Sequence, residues 1–209
     1  MERAYVVVVP VKPPAFGKSR LLGLSDTHRR DLAGAFALDT VAACLAASQV
    51  AQVLVATDDA VFAATLAATG CATVPDGDTN GLNPALRQAV SEALRRWPAL
   101  QPVALLADLP ALRAADLDTA LGALVPDRPA FVADADGTGT TLYTASYDGF
   151  APSFGIDSCA AHRAGGALEV AGELAGLRRD VDNLDDLRTA VALGVGVATA
   201  RLVANLHLH

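Results

Sequence analysis

The stretch "VVVVPVKPPAFGKSRL", residues 6–21, decides which kind of fold the chain can have. Its first half belongs to "AYVVVVP", residues 4–10, a continuous β-branched run that marks a strand buried on both faces of a parallel sheet. Its second half reaches Gly17-Lys18-Ser19, the way a phosphate-binding P-loop ends. A P-loop requires G-x-x-x-x-G-K-[ST], and counting back from Gly17 puts Lys12 at the first glycine position. Pro13 and Pro14 fill the middle and supply no N–H, whereas a P-loop wraps its phosphates in backbone N–H groups. A P-loop also runs straight into its helix, and here the first capping signal is Ser25-Asp26. The Gly-Lys-Ser match is therefore a coincidence of motif.

The same loop nevertheless points to a nucleoside triphosphate. Of the 16 basic residues, only Lys12 and Lys18 are lysines, and both stand here with Arg20. A compact ammonium serves a phosphate oxygen as a point charge. Lys12 and Lys18 are candidate triphosphate ligands, bracketing a loop stiffened by two prolines.

Outward from this loop, strand and helix signals alternate. Ser25-Asp26 opens a long helix, "VAQVLVAT" is a second buried strand, and Asp58-Asp59 starts a short helix before the strand "CATVP". Asn83-Pro84 reads as a cap followed by a first-turn proline, opening a helix that stops at Pro98. "PVALLAD" is the next buried strand, and a helix spans about Ala114 to Leu124. The rhythm then changes to two strands, "AFVAD" and "TTLYTAS", joined by the turn-rich "ADGTG", with short helices at "DSCAAHRAG" and "NLDDLRTAVALG". This order predicts one α/β domain over residues 1–209, three layers around a mixed, mostly parallel sheet. Ligands of such sheets bind beyond the carboxyl ends of the parallel strands.

Composition narrows the function. At 209 residues with 52% apolar residues, the chain can bury roughly 70% of its unfolded surface. A net charge of −7 argues against a nucleic-acid surface. Cys44, Cys71 and Cys159 have neither metal nor disulfide spacing, which predicts thiols in a reducing compartment. No signal peptide and no apolar stretch of membrane-spanning length is visible, so a cytoplasmic protein without a membrane partner is expected.

The acidic residues supply the complementary chemistry. Asp108 ends a buried strand, where a carboxylate aimed at a triphosphate would suit Mg²⁺. Asp180 and Asp182, two apart in "LRRDVDN", share a face if the segment is extended; they form either a cation pair or a solvated turn before a helix at Asn183. In "DADGTGTT", Asp136-Gly137 reads as a turn joining two strands in preference to a D-x-D metal site, and Thr138, Thr140 and Thr141 offer donors to an anion. In "FGIDSCAAH", Gly155 allows close backbone approach, and Ser158 begins a helix whose exposed N–H groups suit a phosphate, the alternative being an ordinary cap at Asp157 or Ser158. Of four histidines only His162 lies near these positions; His207 and His209 fall in a terminal tail. No Ser/His/Asp arrangement or histidine metal pair stands out.

Taken together, "VPVKPPAFGKSRL" (9–21), "NGLNPAL" (80–86), "LLADLPAL" (105–112), "GTGTTL" (137–142), "FGIDSCAAH" (154–162) and "LRRDVDNLDDL" (177–187) resemble the guanylyltransferases of deazaflavin coenzyme F-420 biosynthesis, which act on 2-phospho-L-lactate or phosphoenolpyruvate. The resemblance covers nearly the whole chain and implies a Rossmann-like nucleotidyltransferase fold, GTP as donor and Mg²⁺ as cofactor. It implies Asp108, Asp180 and Asp182 as metal ligands, and Thr140, Gly155 and Ser158 around the acceptor's phosphate. Lys12 and Lys18 would meet the GTP phosphates, with Lys18 also acting in catalysis beside Asp108, and Asn80, Gly81 and Asn83 would lie at the nucleotide. Asn183 departs from the threonine expected after the aspartate pair. The alanine-rich composition fits a GC-rich genome such as an actinobacterium's, for which the resemblance implies phosphoenolpyruvate as the acceptor. The reactive mixed-anhydride product suggests hand-over to the next enzyme. Rival readings are a nucleotidyltransferase for a molybdopterin or sugar phosphate, and a GTP-binding module without chemistry.

Overall fold

The fold is taken from a computed structural model, which describes residues 4–12, 21, 23–77, 81–126 and 128–206. In chain order the elements are β1 (Tyr5–Pro10), α1 (Asp26–Ala46), β2 (Val50–Ala56), α2 (Ala60–Ala67), β3 (Ala72–Val74), α3 (Leu82–Arg96), β4 (Gln101–Leu105), α4 (Ala114–Gly122), β5 (Ala130–Ala133), β6 (Thr140–Thr144), α5 (Ser158–Ala164), β7 (Leu168–Glu169), α6 (Ala175–Arg178), α7 (Leu184–Leu193) and α8 (Val197–Leu206). They form a seven-stranded sheet in the order β3-β2-β1-β4-β6-β5-β7. β1 pairs parallel with both β2 and β4, while β6 runs antiparallel to β4 and β5. The mixed sheet expected from the sequence is the one observed.

The opening valines explain the layering. Successive strand residues face opposite sides. Val7 and Val9 enter a core shared with Ala37 and Val41 of α1 and Leu117 and Leu121 of α4. Val6 and Val8 enter a second core with Leu86 and Val90 of α3 and with Phe131, Tyr143 and Phe154. Helices on both faces leave no solvated side, which is why β1 reads as an unbroken apolar run rather than an alternating one.

Several local expectations shift. α3 begins at Leu82 behind Gly81, which stands at φ 120°, and not at an Asn83 cap. Pro84 still falls in the first turn, where its missing N–H leaves no intrahelical bond unmade. β4 ends at Leu105, three residues before Asp108. β7, α6 and α8 were not foreseen. The cap of α8 is supplied from a distance: the Asp39 carboxylate on α1 accepts from the Ala198 and Thr199 N–H groups at 2.9 and 2.8 Å. We expect Asp39→Ala to lose about 1–2 kcal/mol of stability, the usual magnitude for a helix cap, read as a lower urea midpoint. No single described helix is long and apolar enough to cross a membrane.

Candidate active site

The sheet order reverses direction of travel between β1 and β4, which opens a crevice at their carboxyl ends. Lys12 follows β1 there, and Asp108 follows β4. The antiparallel β6 brings its first residue to the same edge: Leu105 pairs with Leu142, and the Leu106 N–H donates to the Thr141 carbonyl at 2.9 Å. Thr140 therefore begins beside the turn that carries Asp108.

That turn is braced from below. Thr40 on α1 is fully buried; its hydroxyl donates to the Ala107 carbonyl at 3.1 Å and accepts from the Leu109 N–H at 3.2 Å. Asp108 is thus clasped at both neighbouring peptides. The Asp108 carbonyl accepts from the Val181 N–H at 3.1 Å, which docks the "DVD" segment against the turn. Val181 is buried with Leu21, Leu32, Phe36 and Leu187. Burying the central valine turns both flanking aspartates the other way, toward Asp108. One carboxylate oxygen from each of Asp108, Asp180 and Asp182 lies within 4.8 Å of the others.

The rest of the segment is anchored separately. Arg178 donates to the Ala133 carbonyl at 3.0 Å and the Val170 carbonyl at 2.8 Å, and its own carbonyl accepts from the Ala135 N–H at 2.8 Å. Asn183 caps α7 in a reciprocal box with Asp186, which also pairs with Arg179 at 3.2 Å. The solvated-turn alternative is thus half right: Asn183 does cap a helix, while the aspartates before it face a common point. Three carboxylates so placed repel one another, and hard oxygen donors in that number suit a divalent cation.

These aspartates line a cavity of about 730 Å³ together with Thr138, Thr140, Phe154, Gly155 and Ser158. Among the described lining residues carboxylates outnumber Arg179, the one cation, so a polyanion entering here needs added positive charge. Asp134 is not a ligand of the acidic cluster: its two oxygens accept from the Thr138 and Gly139 N–H groups at 3.0 and 2.8 Å and fasten the turn before β6. That is the turn reading of the D-x-D.

The same cavity is lined by the buried residues Thr140 and Ser158, 3% and 1% exposed. Gly155 stands at φ 135°, and Asp157 is the only described non-glycine residue with positive φ, at 53°. Asp157 precedes α5 but makes no side-chain cap bond. The loop is held by Asn83, whose amide accepts from the Phe154 N–H and donates to the Phe154 carbonyl, both at 2.8 Å. Asn83 therefore reaches the site through this loop. His162 holds it a second time: Nε2 accepts from the Ser153 N–H at 2.9 Å, and Nδ1 lies 3.0 Å from Thr140 Oγ1. Burial pushes the imidazole down to about 4, against a weaker opposing bond to the Ser158 backbone, so the ring is neutral near pH 7.

At the end of β1, Lys12 is exposed and its charge acts on Asp76, whose carboxyl is raised by burial and by Asp58 in spite of that lysine. Gly81 stands at the start of α3. Lys18, Arg20 and Asn80 lie outside the described residues. Sequence reasoning missed Thr40, Arg178 and the bonds of His162, because each acts through partners distant in the chain.

Comparison with known proteins agrees with this geometry. Residues 5–168 match the family model described as guanylyl transferase CofC like. A phosphoenolpyruvate guanylyltransferase of Thermomonospora curvata is 48% identical over 207 residues, covering 98% of this chain and 91% of the relative. One of Streptomyces coelicolor is 48% identical over 205 residues, covering 97% of each. In fold, the chain is similar to a candidate nucleotide-diphospho-sugar transferase from Desulfovibrio desulfuricans G20, with TM-score 0.74 at 19% identity, over 100% of this chain and 97% of the other. The family model spans more than three quarters of the chain and the relatives match it along nearly their whole length, so this chain belongs to the CofC-like guanylyl transferase family.

Proposed function

We propose that the protein transfers GMP from GTP to the phosphate of phosphoenolpyruvate and releases pyrophosphate, a step of coenzyme F-420 biosynthesis. The observation that carries the reading is the convergence of Asp108, Asp180 and Asp182 within 4.8 Å, facing the same cavity as Thr140 and Ser158. The relatives of matching length are named for this reaction.

Asp108, Asp180 and Asp182 would hold Mg²⁺, which prefers a few carboxylates plus phosphate and water oxygens. When bound, the ion supplies charge neutralisation and a common template for donor and acceptor oxygens. Thr140, Ser158 and the backbone at Gly155 receive the acceptor's phosphate and present one of its oxygens to the α-phosphorus of GTP. Lys12 and Lys18 offset charge on the triphosphate, and Asn80, Gly81 and Asn83 are assigned to the nucleoside, with Asn83 also fixing Phe154. A phosphate is already ionised near pH 7, so its attack needs no general base, which fits the neighbouring His162 being engaged at both nitrogens. Positioning and electrostatics then carry the rate enhancement.

The test is pyrophosphate release from GTP and Mg²⁺ with phosphoenolpyruvate, 2-phospho-L-lactate or a sugar phosphate as acceptor. Release with phosphoenolpyruvate is expected to exceed that with the sugar phosphate by at least about a hundredfold, since buried polar groups matched to one ligand reject another. Turnover with the sugar phosphate alone would overturn the acceptor, and GTP binding with no turnover on any acceptor would favour a binding module.

A further inference from the structure

His162 takes no part in the phosphoryl chemistry, yet it is 2% exposed and stacked against Tyr143 at 4.6 Å and Phe131 at 5.7 Å, with Phe154 edge-on. Both nitrogens are engaged, and one partner leaves no choice of direction. The Ser153 N–H can only donate, so Nε2 must be the unprotonated acceptor. A neutral imidazole then carries its proton on Nδ1, the nitrogen 3.0 Å from Thr140 Oγ1. The Ser158 backbone shares that proton, but a protonated Nδ1 offers no lone pair, so at that contact Thr140 can only accept and its own hydroxyl hydrogen is released for another acceptor. The other side-chain partner within reach is the Cys159 sulfur at 4.0 Å, a weak acceptor that an anionic oxygen outcompetes. Thr140 lines the cavity.

We propose that His162 is a positioning residue that fixes the polarity of the Thr140 hydroxyl, making it an obligate hydrogen-bond donor to the acceptor's phosphate. This rests on the acceptor reading above. The opposite tautomer would lose the Ser153 anchor and would let Thr140 turn its hydrogen toward the ring, presenting lone pairs to the incoming anion.

Two measurements test it. Long-range ¹H–¹⁵N correlation on histidine-labelled protein at pH 7, without substrate, should show His162 as the Nδ1–H tautomer; an Nε2–H tautomer or an imidazolium overturns the proposal. The second is a double-mutant cycle with His162→Phe, which keeps a ring in the aromatic stack, and Thr140→Val. His162→Phe should raise the KM for phosphoenolpyruvate about tenfold more in the parent than in the Thr140→Val background, while the KM for GTP moves less than about twofold in either. The cycle cancels whatever is lost with the Ser153 anchor. Equal effects in both backgrounds would mean a structural role and overturn the proposal. The tautomer is read whether or not the variant folds. Absence of phosphoenolpyruvate-dependent pyrophosphate release in the parent protein would instead fault the acceptor reading, which the tautomer measurement does not use.

Discussion

Asp182→Asn and Asp108→Asn are each expected to cut turnover by about a thousandfold or more while leaving the protein folded. Each substitution keeps the shape of the side chain and removes one negative charge from a cluster whose oxygens lie within 4.8 Å of one another. A catalytic cation contributes several kcal/mol of charge stabilisation, and each ~1.4 kcal/mol is tenfold in rate. The backbone around both residues is secured by other groups. Val181 stays buried, the Asp182 N–H still donates to Asp186, and Thr40 still clasps the peptides beside Asp108. Binding to the native state alone raises the thermal midpoint. Added Mg²⁺ should therefore stabilise the parent protein, and both variants should lose most of that shift. This readout is independent of turnover. Near-normal turnover by Asp182→Asn, or an undiminished Mg²⁺ shift, would remove Asp182 from the cation site.

The strands were legible because burial on both faces writes itself into sequence as β-branched runs. The Ser25 cap was legible because its acceptor and donor are three residues apart, with the Ser25 hydroxyl accepting from the His28 N–H. The parts that failed share the opposite property. α8 follows Gly194 and Gly196 and takes its cap from Asp39 on α1. Thr40 looks like any helix threonine until its partners at Ala107 and Leu109 are known. The aspartate pair sits between these cases. Spacing put Asp180 and Asp182 on one face but left a solvated turn equally open; the burial of Val181 and its bond to the Asp108 carbonyl are what direct them at a third carboxylate. The opening loop shows the limit on the other side. Its exclusion as a P-loop came from residue chemistry and from the late capping signal, and α1 does begin only at Asp26, but Lys18 and Arg20 lie outside the described residues.

Gly155→Ala is expected to raise the KM for phosphoenolpyruvate about ten- to a hundredfold with little change in the KM for GTP. The reason is conformational. A Cβ at Gly155 meets nothing within 4 Å, so no clash opposes the methyl group. The backbone, however, stands at φ 135°, where an L side chain is strained by about 1–3 kcal/mol. The loop can relieve that strain only by moving. Phe154 before it is pinned by Asn83, and Ser158 after it is locked into α5. The displacement therefore falls on the peptides between them, where the acceptor's phosphate is proposed to sit. Gly70 provides the matched control, at φ 102° with equally open space but at the amino-terminal edge of β3, away from the crevice. Gly70→Ala should lose a similar amount of stability, read as a lower urea midpoint, with both KM values unchanged. If the two variants raise the phosphoenolpyruvate KM alike, the effect is global destabilisation and Gly155 has no special place at the acceptor. If only Gly155→Ala does so, the left-handed turn itself shapes the acceptor site.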